Sequence, residues 1–214
     1  MVERPRLPSL LLDNLEPRSE NDLVLGRAHD RASFSDAELS GERLRDRDLV
    51  ECLISGSRLD EAELHGTRMR ETRWEGCEAT AVGMSRADLR EVEFVGCRFG
   101  AWEIYDTKAR MVLVDDCRLG YVNLRGAELI DVTFRASTIA DLDLGGAEID
   151  RLALPGCRVG HLILQGASLR DVDLRGAEIH EITGIEALRG ATVGPAQLQE
   201  LAPLLAQHLG IEIA

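Results

Sequence analysis

The chain's most reactive side chains are its five cysteines, and four of them are evenly placed. Cys77, Cys97, Cys117 and Cys157 begin the strings CEAT, CRFG, CRLG and CRVG at multiples of twenty residues, and Ser137 stands in the one gap. Thiolates brought together could bind zinc or pair as disulfides. Neither chemistry is indicated, because the count is odd and no C-x-x-C pairing occurs. The five histidines, His29, His65, His161, His180 and His208, are scattered, none beside a Cys or carboxylate at ligand spacing. No phosphate-binding loop, nucleophile–base pair or metal motif is present. No catalytic, cofactor or metal site is expected, and an enzyme is disfavoured.

The question becomes what element places a small residue every twenty positions. Stepping by five from Phe34 through Leu39, Leu44, Leu49 and Ile54, and onward to Leu169, Leu174 and Ile179, meets no polar residue in thirty positions. Independent draws at the chain's apolar frequency would do this roughly once in 10^10 trials. Two residues before each of these centres lies a second column, small or apolar except at Glu42 and Arg47. A period of five fits neither a helix at 3.6 nor a strand at 2. The chain must turn once per repeat, and four repeats close one square coil of twenty residues. Ten glycines lie two residues after a centre, nine of them on alternate repeats (Gly56, Gly66, Gly76, Gly96, Gly126, Gly146, Gly156, Gly166 and Gly176), as a corner with positive φ requires. The cysteine column is then one inward face on successive coils. Coils about 4.8 Å apart come within disulfide range, but parallel side chains facing a packed core are poorly aimed for bonding. Buried free thiols are expected.

The strings VNLRGAELID, ADLREVEF and ASLRDVDLRGAEI resemble the A-(D/N)-L-x-x motif of the pentapeptide repeat family, over residues 32–181. The resemblance implies an all-β fold: a right-handed quadrilateral β-helix of about eight coils. It also implies a dimer contact at the C-terminal end. The family's quinolone-resistance proteins imitate duplex DNA and bind DNA gyrase, so gyrase is one partner the resemblance suggests.

Beyond the clear repeats, Val24 and His29 keep the phase, and the register shortens by one residue at Ile182–Ile185 before Leu188 and Val193 resume it. Residues 1–20 are expected to be an N-terminal extension or cap, 21–194 the solenoid, and 195–214 a helical cap, since a solenoid's raw ends need covering. Pro195 suits a helix start and Gly210 a stop. Leu198, Leu201, Leu205 and Leu209 form an apolar face and a candidate homodimer contact. Pro203 should kink the helix or split it.

A net charge of −13 disfavours direct binding to nucleic acid or anionic membrane. No apolar run reaches membrane-span length and the N-terminus lacks a signal-peptide core, so a cytoplasmic location is expected. Function then falls to the surface, and the leading expectation is a non-enzymatic rod that binds a protein partner through its faces. Glu51, Glu71, Glu91, Asp131 and Asp171 share one corner column and could imitate a phosphate ridge. The column beside it is rich in arginine, however, and each face carries only −2 or −3. Val95, Tyr105, Met111, Leu113, Tyr121 and Ile130 occupy outward positions within about two coils and form a candidate apolar patch.

Overall fold

The computed structural model describes residues 2–211. The chain winds into about nine coils, and each coil lays its strands in register on the one before. Two parallel sheets run the length of the rod. In the first, strands such as Arg68–Glu75, Asp88–Val95, Lys108–Asp115 and Glu128–Arg135 pair at a spacing of twenty residues. In the second, Glu78–Gly83, Arg98–Glu103, Arg118–Asn123 and Thr138–Asp143 do the same. Each strand bends once, so two sheets make four faces, and the fold is a quadrilateral β-helix with a C-terminal helical cap.

The five-residue period builds this coil by filling its interior. Every centre from Phe34 to Leu164 is buried, and only Leu169 and Ile179, in the last coil, are half-exposed. The corner glycines take positive φ, for example +69° at Gly66 and +61° at Gly76. The first sheet bends at another corner that uses no glycine. Glu51, Glu71, Glu91, Met111, Asp131, Arg151 and Asp171 all have φ between +48° and +64°, a region costly for residues with a Cβ. Trp74 and Trp102 fill mid-rod layers. Their indole N–H groups donate to Met69 Sδ (3.3 Å) and Met84 Sδ (3.4 Å), which keeps a buried donor satisfied.

Both ends are covered. At the N-terminus, helix α1 (Glu20–Leu25) begins with a reciprocal cap between Ser19 and Asp22 and buries Leu23. The boundary expected at residue 21 falls inside this helix. The signal for it was Ser19 with Asp22 three residues on, a capping box. At the C-terminus, a turn of 3-10 helix (Ile185–Leu188) takes up the missing residue, and Val172 pairs with Ala191 at a spacing of nineteen. Helix α2 (Pro195–His208) then crosses the end of the rod as one helix through Pro203, so of the kink or split expected from sequence the split does not occur. Gln199, whose carbonyl loses its partner to Pro203, is exposed, so water can meet that carbonyl. The expected cap extends to residue 214, and its last three residues lie outside the described range.

Residues 2–15 run back along the outside of the rod. The Glu3 amide donates to Asp171 Oδ1 (3.1 Å) and the Arg6 amide to Asp131 Oδ1 (3.0 Å). Glu16 and Pro17 then pair in parallel with Ala32 and Ser33. This N-terminal strap ties the last coils to the first.

Candidate binding surfaces

The cysteine column is buried, and all five thiols are free. Its chemistry is donation. Cys77 Sγ donates to the carbonyl of Ile54 (3.5 Å), Cys97 to Trp74 (3.6 Å), Cys117 to Phe94 (3.5 Å) and Cys157 to Phe134 (3.3 Å). Ser137, in the gap, makes the same bond to Val114 (3.5 Å). Each acceptor lies twenty-three residues back, and Thr67, Thr72 and Thr107 repeat the geometry at other corners. Cys, Ser and Thr at these positions each offer a small donor to a corner carbonyl, while Ala37 and Ala177 in the cysteine column keep the small size without the bond. Burial pushes the Cys52 and Cys157 thiols above their ordinary range. The neighbouring Cys117 and Cys77 thiols, together with burial, push Cys97 in the same direction.

The acidic column lies in one line, set by the repeated positive-φ corner, but it is not a bare ridge. Asp131 is only 4% exposed. Burial raises its carboxyl pKa, yet hydrogen bonds from Arg151 and the Arg6 amide outweigh this and hold it below the usual carboxylate range. Arg151, the cation that interrupts the column, lies 2.6 Å from Asp131 and 2.8 Å from Asp150. Glu51 faces Arg31 at 3.8 Å. Asp131 and Asp171 both lie under the strap. Elsewhere the outward charges pair coil to coil: Arg68 with Asp48, Arg73 with Glu93, Arg98 with Glu78, Lys108 with Glu128, Arg135 with Asp115, and Arg158 with Glu178. Such pairs contribute little each, about 0–1 kcal/mol, and they neutralise their own partners while the faces keep the remaining negative charge.

The apolar patch does not assemble. Val95, Met111, Leu113 and Ile130 belong to strands of the first sheet, whereas Tyr121 lies in the second and Tyr105 follows a strand of the second. Leu113 is not surface at all, being 6% exposed. Tyr121 is held by Asp143, its hydroxyl donating to Oδ2 at 3.1 Å. Outward position alone could not show which side of the rod a residue faces once the coil closes.

The leucine face of α2 divides. Leu201 and Leu205 pack on the end of the core, while Leu198 and Leu209 are 51% and 70% exposed. Gln197 fixes the helix on the coil, its amide donating to the carbonyls of Leu174 (2.6 Å) and Ala177 (2.8 Å). The sequence reading missed this residue, because a polar side chain on a cap has no periodic signature. It also missed the strap, whose Pro5, Pro8 and Pro17 suit an extended chain.

The coil, its five-residue unit and its two end caps define a quadrilateral β-solenoid built on a five-residue repeat. No protein-family model matches the sequence, and no curated protein matches it. Among solved structures, the chain is similar to HetL, a pentapeptide repeat protein involved in heterocyst differentiation regulation from the cyanobacterium Nostoc. The two are 20% identical, over 81% of this chain and 94% of that one, with a TM-score of 0.31. It is also similar to full-length QnrB1, a plasmid-mediated fluoroquinolone resistance protein, at 14% identity over 92% and 95% of the two chains and a TM-score of 0.33.

Proposed function

We propose that this chain is a non-enzymatic protein-binding rod, which presents rigid parallel faces to a protein partner. The observation that carries the reading is the filled interior. The coil is packed with Trp, Phe, Leu, Ile and small donors, and no group of three potential metal ligands converges among the described residues. Many of the charged groups pair along the outside, which leaves the outer faces to act. Five free thiols suit a reducing compartment such as the cytoplasm.

The second reading, a DNA mimic that binds gyrase, draws on the straight acidic column of Glu51, Glu71 and Glu91, which the strap's two carboxylate anchors do not include. The paired charges around it favour the first reading. A supercoiling assay with purified gyrase and micromolar protein, with and without a quinolone, separates the two. No inhibition and no protection is the expected result. Inhibition that disappears when Glu51, Glu71 and Glu91 are changed to Lys would reverse the order.

A further inference from the structure

We infer that the face beneath the N-terminal strap is a groove for an extended peptide carrying arginine and proline, and that residues 3–7 of the chain itself are its resident occupant. The inference rests on the binding-rod reading and names one surface and one partner chemistry for it.

Three observations carry it. First, the strap is held as a ligand is held. Between Glu3 and Glu16 its two hydrogen bonds to the coils run from backbone amides to carboxylates, Glu3 to Asp171 and Arg6 to Asp131. Backbone donors meeting fixed acceptors recognise an extended chain whatever its side chains. Burial raises Asp131, yet Arg151 chiefly holds it below the usual carboxylate range, and Arg175 chiefly does the same for Asp173; the positive charges of Arg6 and Arg4 add smaller contributions. Second, outward residues beneath the strap's path are dry. Glu93, Leu113 and Thr133 are in register on adjacent strands at an outward position, yet they are 8%, 6% and 5% exposed. Leu113 is buried without belonging to the interior core. The strap is anchored at Asp131 on one side of these coils and at Ala32 on the other, so its path crosses the stripe. Third, the occupant does not fill its site. Arg4, Pro5 and Leu7 leave a cavity of about 580 Å³ above Thr133, Ala153 and Pro155. Leu7 and Leu11 remain 46% and 78% exposed. A segment held at two points over an unfilled cavity can be displaced by one that fits better.

A cis segment competes at an effective concentration on the order of 1 mM. Releasing it should therefore strengthen binding of a moderate trans ligand by about tenfold or more. The double variant Glu3→Pro, Arg6→Pro removes both amide donors and alters no residue of the solenoid. The probe is a fluorescent synthetic peptide of residues 2–11, titrated by anisotropy against the full-length wild-type and variant chains. The expected result is binding at least tenfold tighter to the variant. Adding Leu113→Arg, or separately Asp171→Ala, should abolish that gain while thermal melting shows the rod still folded. Equal affinity for both chains, or no binding to either, would overturn the proposal, as would a gain that survives both groove substitutions. Concentration-dependent dimers of the released variant would also overturn it, because the occupant would then be a second copy's strap. A failure here leaves the binding-rod reading to the other faces, which the gyrase assay addresses separately.

Discussion

Each residue in this rod does its work through its position in the twenty-residue coil. Leu144 is 1% exposed at a centre, so Leu144→Asp strands a carboxylate in the core. It should cost about 3–5 kcal/mol and lower the melting temperature by about 10 °C. Arg118, exposed on the second sheet, should tolerate Asp with little change. Equal losses at both sites would contradict the register. Arg125 looks like an equally free outward position in the sequence, but it is not, because it pairs at 3.1 Å with Asp143, which is itself buried. Periodicity thus identified what points inward and left unseen the outward side chains that are covered. His29 shows the same limit. It holds a centre's phase, is 3% exposed beneath α1, and among the described residues neither ring nitrogen has a partner. Burial lowers its pKa below 6.5. As the pH falls below about 6.5, the unfolded chain takes up a proton that the folded chain refuses, so stability falls with pH. His29→Leu should remove that part of the acid sensitivity, measured as melting temperature between pH 7 and pH 5. An unchanged pH dependence would show that His29 is not its source.

At the scale of elements, the strands were legible because thirty centres share one phase and α2 because Pro195 and Gly210 mark its ends, whereas α1 and the strap, which occur once and lack such a pattern, were missed. Helix α2 is the case with a consequence. The four leucines read as one face are two pairs, one serving the core and one facing solvent. Leu201→Glu should lower stability whatever the oligomeric state. Leu198→Glu with Leu209→Glu should leave the melting temperature within a few degrees and act only on association. If sedimentation shows a wild-type dimer that this double variant dissolves, the exposed pair is the contact. A dimer that persists in the double variant places the contact elsewhere.

At the scale of the molecule, the coils pair with their neighbours and, the strap apart, behave as stacked units. Removing residues 97–116 joins Gly96 to Cys117, a junction equivalent to the native one, and should give a folded rod shorter by about 4.8 Å in small-angle scattering. Removing residues 97–115 puts the following strand one residue out of step and turns side chains to the wrong face. That shorter deletion should melt well below the longer one. Equal stability would mean that the coil, contrary to its register, tolerates slippage in mid-rod. The rod closes its ends differently: the last coil absorbs its missing residue through the 3-10 turn after Gly184, which has φ +81°.

The strap also sets an order of events during synthesis. Glu3 is made before its acceptor Asp171, which follows 168 positions later. At a translation rate of 5–20 residues per second, that interval is roughly 10–30 s. Coils can stack as they leave the ribosome and Glu16 can pair early with Ala32, but the anchor for Arg6 waits for Asp131 and that for Glu3 waits for Asp171. From the making of Leu113 until those anchors follow, the stripe around it is open and the arm ahead of Glu16 is free. The nascent chain therefore passes through a stage in which another extended segment could reach the groove before its own arm does.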